Sequence, residues 1–238
     1  MKLFITDYDG TLYTSDDSIK ENNKKLKELQ ENHFYVVIST GRSYPSIKTQ
    51  INLYHIPYDF ICCADGSIIY DNKGNILNMS ILDKKIVNHF IEFYQKLDYE
   101  EIQFSYPDGY YSNLQNNDNL LGINICLATN KFTKEIDNSF QKIKDEYPKY
   151  NYLSYAHPNF SYLCIKPENI SKSSAVSFLQ EKYHISKEEI YVIGDSSNDL
   201  EMIRDYNGVS MEHSSQEVLN ITKKVYKEVS DYIIDILS

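Results

Sequence analysis

Three observations predict an α/β fold in which a parallel-sheet core is interrupted by an inserted α+β segment. Short apolar runs alternate with amphipathic helical patterns in the first part of the chain, from about Ile81 the strands become grouped, and after Ile165 the first rhythm resumes. Repeated strand–helix–strand units imply parallel strands joined by right-handed crossovers, whereas grouped strands with helices imply an α+β module. The length of 238 residues suits one core plus a modest insertion.

Taken in order, Leu3 to Thr6 is a buried strand, Ile19 to Gln30 an amphipathic helix, Tyr35 to Ser39 a second strand, Ser46 to Tyr54 a helix and Phe60 to Ala64 a third strand. Ser67 to Met79, with Asn72-Lys-Gly-Asn75 at its middle, has the pattern of a hairpin. A helix over Asp83 to Leu97 opens the insertion. Strands follow around Ile102 to Tyr106, Tyr110 to Leu114 and Ile123 to Ala128, then a helix from Thr133 to Glu146 and strands near Tyr150 to Tyr155 and Ser161 to Ile165. The core returns with a helix over Ser173 to Tyr183, a strand over Ile190 to Ile193, a helix over Asp199 to Tyr206, a strand over Gly208 to Met211 and a terminal helix.

A chain that is 42% hydrophobic and 24% charged, with 8 Gly and 6 Pro, is neither disordered nor fibrous. No apolar run approaches the roughly 18 residues of a membrane span, and MKLFITDYDG lacks the pattern of a secretory signal, so a cytoplasmic location without membrane contact is expected. Adjacent Cys62 and Cys63 and the isolated Cys126 and Cys164 form no disulfide framework, and packed, reduced thiols are expected. The net charge of −10 argues against general nucleic-acid binding. An anionic ligand would have to be held by a local cluster.

Four segments can supply that cluster. The first strand ends in Asp7-Tyr8-Asp9-Gly10-Thr11-Leu12, where alternation points Asp7 and Asp9 the same way and a turn is the competing explanation. Two such carboxylates repel unless a cation lies between them or one takes a proton. The second strand ends in Ser39-Thr40-Gly41-Arg42, with a hydroxyl, exposed backbone N–H groups and a helix start, ingredients of an anion site as well as of a helix cap. Lys172 follows Ser171 at a helix start, where a nearby anion would offset its conflict with the helix dipole, although surface lysines are common there too. The strand Tyr191-Val-Ile-Gly is followed by Asp195, Asn198 and Asp199; Asp195 adds a carboxylate to the same sheet edge, with hard oxygen donors that suit Mg²⁺.

DYDGTL, STGR, SK and GDSSND in this order resemble the four motifs of the haloacid dehalogenase superfamily, and the inserted segment is similar to the cap of its Cof-like (type IIB) sugar phosphatase branch. The resemblance implies a Rossmann-like parallel-sheet core over residues 1–80 and 163–238 and an α+β cap over 81–162 that confers substrate specificity. It implies a Mg²⁺-dependent phosphatase acting on a small phosphorylated metabolite such as a sugar phosphate. Asp7 would be the nucleophile and Asp9 the general acid and base, with Asp7, Asp195 and the backbone carbonyl of Asp9 at the metal. Thr40, Gly41, Lys172 and Asn198 would form the phosphate-binding set, while Asn198 and Asp199 would support the metal and orient Lys172. Arg42, Asp65, Gly66, His157 and Asn159 are the positions expected near the rest of the substrate.

The chain departs from the branch's pattern at Asp65-Gly66-Ser67 after the third strand, at Ser173 after Lys172, and at His213-Ser214. Those changes bear on the substrate and leave the hydrolytic set intact. Clustered tyrosines in the insertion, among them Tyr106, Tyr110, Tyr111, Tyr152, Tyr155 and Tyr162, are expected as packed core or cross-strand pairs. A mutase or phosphotransferase using the same aspartyl-phosphate, and a non-catalytic phosphometabolite-binding regulator, are the alternatives.

Overall fold

The computed structural model describes residues 1–116, 118–131, 133–156 and 159–238, and the chain divides into two compact units, Met1–Asn78 with Ser171–Ser238, and Met79–Ile170. In chain order the elements are β1 (Lys2–Thr6), α1 (Asp16–Glu31), β2 (Phe34–Ser39), α2 (Tyr44–Tyr54), β3 (Phe60–Cys63), β4 (Ile68–Asp71), β5 (Ile76–Met79), α3 (Lys84–Tyr94), β6 (Glu101–Tyr106), β7 (Gly109–Tyr111) and β8 (Gly122–Ala128). They continue with α4 (Lys134–Glu146), β9 (Tyr150–Ala156), β10 (Phe160–Glu168), α5 (Lys172–Tyr183), β11 (Ile190–Gly194), α6 (Leu200–Asp205), β12 (Val209–Met211), α7 (Gln216–Ile221), β13 (Val225–Tyr226) and α8 (Val229–Leu237).

One sheet has the order β13-β12-β11-β1-β2-β3-β4-β5, parallel from β13 through β3 and antiparallel between β3 and β4. Alternation along β1 sends Leu3 and Ile5 into a core with Val176 and Leu179 of α5 and Met202 of α6, and leaves Phe4 to the opposite face, where its ring lies 5.9 Å from that of Tyr232 on α8. Helices on both faces explain why these strands are apolar at nearly every position rather than every second one. Helix α1 begins three residues earlier than its apolar pattern does, because Ser15 and Ser18 form a reciprocal capping box.

The second unit holds an antiparallel sheet of order β7-β6-β8-β10-β9. Phe90 of α3 and Phe140 and Ile143 of α4 pack with Ile102, Phe104, Ile123, Ile125, Leu163 and Ile165 in a core of its own. Tyr106 and Tyr150 are buried in that core and Tyr111 and Tyr152 pack against it, so these tyrosines are structural.

Strand β10 runs to Glu168 and pairs with both β8 and β9, so the second unit extends to Ile170 and the expected bound at 162 falls inside a strand. Asn159 lies between β9 and β10, directly before the first residue of β10. Two expected helical or strand segments are shorter than their apolar patterns: β7 ends at Tyr111, and Ser197–Asp199 is a 3₁₀ turn ahead of α6. No helix among the described residues is long and apolar enough to cross a membrane.

Candidate active site

Strand β1 has β2 on one side and β11 on the other, with Thr6 in register with Ile38 and Ile193. The chain leaves β1 for β2 and returns later to β11, so the carboxyl end of β1 is a topological switch point, where parallel sheets open a crevice. Asp7 stands one residue beyond Thr6, Thr40 two beyond Ile38 and Asp195 two beyond Ile193. The three motifs therefore emerge at one level of the sheet.

Lys172 arrives from the first turn of α5. Its buried ammonium donates to Asp7 Oδ1 at 2.5 Å and to Asp199 Oδ1 at 2.7 Å. The lysine is no surface decoration. The other oxygen of Asp199 accepts from the backbone N–H groups of Asp195 and Ser196, both at 3.1 Å, so Asp199 joins the helix start to the lysine. Thr11 Oγ1 donates to Asp195 Oδ1 at 2.6 Å.

Asp7, Asp195 and Asp199 each place a carboxylate oxygen within 4.8 Å of the others. Burial pushes Asp7 up from the ordinary carboxylate range, with the neighbouring Asp199 and Asp195 adding to the effect and Lys172 opposing it. Burial likewise raises Asp195, against the Thr11 hydrogen bond. Burial on its own would lower Lys172, but the carboxylates of Asp199, Asp7 and Asp65 hold it well above the usual lysine value. Three carboxylates thus face one ammonium, an all-oxygen donor set carrying surplus negative charge that fits a hard divalent cation. Asp7 and Asp195 have oxygens not engaged by Lys172 or Thr11, whereas both oxygens of Asp199 are engaged within the protein.

Asp9 lies outside this cluster. Its half-exposed carboxylate takes two hydrogen bonds of 2.7 Å from Arg42 Nε and Nη2, and the guanidinium carbon sits 5.1 Å from the centroid of the Tyr8 ring. Arg42 is therefore engaged with Asp9. Burial pushes the Tyr8 hydroxyl up to about 12.

Thr40 is buried, and its hydroxyl accepts from the Arg42 N–H at 3.2 Å. Gly41 lies beside Asp65, whose Oδ1 would be 3.0 Å from a Cβ at that position. The loop after β3 carries Ala64 and Asp65 at φ of 49° and 56°, a left-handed conformation unfavourable for side-chain-bearing residues. It is held by Ala64 N–H donating to Arg42 O at 3.0 Å and Asp65 N–H donating to Thr40 O at 3.1 Å. Asp65 Oδ1 accepts from Asn198 Nδ2 at 3.0 Å, so Asn198 links the β3 loop to the Asp195 loop. At Gly66, with φ of 98°, an added Cβ would stand 2.2 Å from the carbonyl oxygen of Ser171. Only glycine lets this loop lie against the start of α5.

The sequence-derived positions Asp7, Asp9, Thr40, Gly41, Arg42, Asp65, Gly66, Lys172, Asp195, Asn198 and Asp199 all belong to the first unit. Asn159 is exposed in the second unit, and His157 lies outside the described residues. Two residues of the site were not singled out by sequence. Thr11 binds Asp195, and His213 Nε2 lies 2.7 Å from the carbonyl oxygen of Gly10, clasping the Asp7-to-Thr11 turn from the loop after β12. Thr11 sits within the first motif, and His213 marks one of the departures from the branch's pattern, so each had a local signal.

Residues 4–146 and 113–232 match the model of a family described as haloacid dehalogenase-like hydrolase. A Bacillus subtilis protein named 5-amino-6-(5-phospho-D-ribitylamino)uracil phosphatase YcsE is 25% identical over 246 residues, covering 99% of this chain and 90% of the relative. Among solved structures, a haloacid dehalogenase-like hydrolase from B. subtilis superposes with a TM-score of 0.85 at 19% identity, covering 98% of this chain and 99% of the other. The HAD subclass IIB sugar phosphatase BT4131 superposes with a TM-score of 0.78 at 15% identity, covering 99% of both chains.

Proposed function

Because the chain belongs to the haloacid dehalogenase-like hydrolases, we propose that it is a Mg²⁺-dependent phosphatase that hydrolyses a small phosphorylated metabolite through an aspartyl-phosphate on Asp7. The observation that carries this reading is the buried Lys172 ammonium between Asp7 and Asp199, with Asp195 on the same sheet edge. Phosphoryl transfer asks mainly for positioning and charge neutralisation, and an anionic nucleophile attacking an anionic ester needs positive charge beside it.

In this mechanism Asp7 Oδ attacks phosphorus as the bond to the leaving oxygen breaks, and Asp9 gives that oxygen a proton. Asp9 then takes a proton from the water that attacks the phosphoenzyme, which restores Asp7 and releases phosphate. Lys172, Thr40, Gly41 and Asn198 form the phosphate-binding set, and Asp199 orients Lys172. Asp7, Asp195 and the backbone carbonyl of Asp9 would hold the Mg²⁺, which when bound neutralises charge on the transferring phosphoryl group. Both oxygens of the Asp9 carboxylate are engaged with Arg42, so only the backbone carbonyl of this residue is assigned to the metal.

The second unit, Met79–Ile170, is assigned substrate specificity. A sugar phosphate or related polyol phosphate is the favoured class, in keeping with the phospho-D-ribityl group in the name of the B. subtilis relative. The test is phosphate release from an aryl phosphate and a panel of phosphorylated metabolites, with Mg²⁺ and with excess chelator. Release that needs Mg²⁺ and disappears in Asp7→Asn is expected. Full activity in chelator would remove the metal assignment, phosphoenzyme trapped in Asp7→Asn would remove the nucleophile, and transfer to a second hydroxyl without net phosphate release would identify a phosphotransferase.

A further inference from the structure

The turn that carries Asp9 is held from within by backbone hydrogen bonds. Leu12 N–H donates to Asp7 O at 3.2 Å, Tyr13 N–H to Tyr8 O at 2.9 Å and Gly10 N–H to Tyr13 O at 3.1 Å. The last of these fixes the peptide plane between Asp9 and Gly10, and with it the direction of the Asp9 carbonyl. The next plane turns on Gly10, where a φ of 81° and the close approach of Asp195 exclude a side chain: an added Cβ would stand 2.8 Å from Asp195 Oδ2. Glycine restrains its own backbone least of all residues, so a bond to the Gly10 carbonyl steadies the turn more than one at a stiffer residue would.

His213 supplies that bond. Its Nε2 lies 2.7 Å from Gly10 O across 203 residues of chain, and because a carbonyl oxygen can only accept, Nε2 carries the proton. The ring comes from the loop after β12, and in the sheet order β12-β11-β1 it reaches past the end of β11 to the turn after β1. The loop is itself anchored, with Glu212 N–H donating to Tyr226 O at 2.9 Å, Ser214 N–H to Met211 O at 3.1 Å and Ser215 N–H to Asp195 O at 2.9 Å. One loop therefore bonds to the backbone of both turns that carry the acidic cluster. His213 is exposed, so burial of its ring is not what keeps it there.

We propose that His213 is a positioning residue for the reaction. Holding Gly10 O keeps the Asp9–Gly10 segment against Asp195, which sets where the Asp9 carbonyl stands relative to the Asp195 carboxylate and where the Asp9 side chain begins. Its bearing on proton transfer rests on the phosphatase reading, whereas its bearing on a cation rests on the carboxylate cluster. With the bond gone, the turn is free to leave the competent arrangement, and apparent affinity and turnover fall with the fraction that remains in it.

Three substitutions separate the hydrogen bond from the ring. His213→Gln puts an amide N–H at the reach of the imidazole Nε2, His213→Asn stops one bond short, and His213→Leu offers no donor. All three are uncharged, so the effect of the imidazole charge on Asp195 drops out of the comparison among them. In calorimetric titration of full-length, chelator-treated protein, His213→Leu and His213→Asn should bind Mg²⁺ with a Kd about tenfold higher than the parent, and His213→Gln within about threefold of it. At saturating Mg²⁺, the first two should lower kcat for an alkyl phosphate about tenfold with KM little changed, and for p-nitrophenyl phosphate less, while His213→Gln again stays near the parent. The comparison of His213→Gln with His213→Asn carries the test where His213→Leu disturbs the loop.

A Mg²⁺ affinity that follows the reach of the donor would support the positioning role even if no monoester were turned over and the phosphatase reading fell. Equal Kd and equal kcat in all four proteins would overturn it and leave the phosphatase reading standing. So would a His213→Asn protein that performs as well as His213→Gln, since the bond to Gly10 would then not be what matters.

Discussion

Arg42 grips both oxygens of Asp9 at 2.7 Å while its guanidinium packs over Tyr8. A planar fork of this kind fixes a carboxylate's direction in a way that a lysine, with its point charge, cannot. If Asp9 is the proton donor, Arg42 is a positioning residue, and its loss should be felt where the leaving group most needs a proton. Arg42→Ala should lower kcat for an alkyl phosphate about 10- to 100-fold and for p-nitrophenyl phosphate only a few-fold, with Arg42→Lys recovering little. An equal loss on both substrates would mean that Arg42 only holds its loop together. The sequence places Asp7, Asp195 and Lys172 at strand ends and a helix start, which local periodicity can locate. The partnerships of Arg42 with Asp9, Asn198 with Asp65 and His213 with Gly10 join segments far apart in the chain, and no local pattern carries them.

At the scale of elements, the start of α5 is where fold and chemistry meet. Ser171 caps the helix through a reciprocal box with Ser174, Lys172 is its first helical residue, and Gly66 lies against the Ser171 carbonyl. Ser171→Ala should cost about 1 kcal/mol as an ordinary lost cap. Gly66→Ala meets both a left-handed φ and a backbone oxygen, and should cost about 3 kcal/mol or more. It should also lower kcat, because the backbone it displaces carries Lys172. Denaturant unfolding together with kcat for both variants checks this, and a Gly66→Ala protein as stable and active as its parent would show that the loop is slack. Strands β1, β2, β3 and β11 and helices α1, α2 and α5 are long or apolar enough for their periods to be read in sequence. The strand expected over Gly208 to Met211 is found as β12, whereas β13 has two residues, too few to show a period, and pairs along the edge that β12 supplies. The extension of β10 to Glu168 is not legible in the sequence because buried Lys166 and Pro167 interrupt its apolar pattern.

For the whole molecule, the clustered carboxylates should link stability to pH and to metal. Asp7 and Asp195 are both raised by burial, so in the metal-free protein each favours its protonated form on folding. Between the ordinary carboxylate range and those raised values the folded state holds more protons than the unfolded one. The resulting stability is complete below the unfolded pKa and is lost as pH rises through the folded pKa. In chelator, Asp195→Asn should therefore match its parent near pH 4 and exceed it in unfolding midpoint at neutral pH, because the amide keeps the acceptor that Thr11 uses and removes a buried charge. Added Mg²⁺ should reverse the order. It should stabilise the parent by about 2.7 kcal/mol at a hundred times its Kd, and Asp195→Asn by much less, since the cation binds the folded carboxylates and not the dispersed ones of the unfolded chain. Thermal unfolding across pH 4 to 8, with chelator and with Mg²⁺, reads both effects. Were Asp195→Asn no more stable than its parent in chelator at neutral pH, the three carboxylates around Lys172 would not be in electrostatic conflict, and surplus negative charge would no longer argue for a divalent cation at this sheet edge.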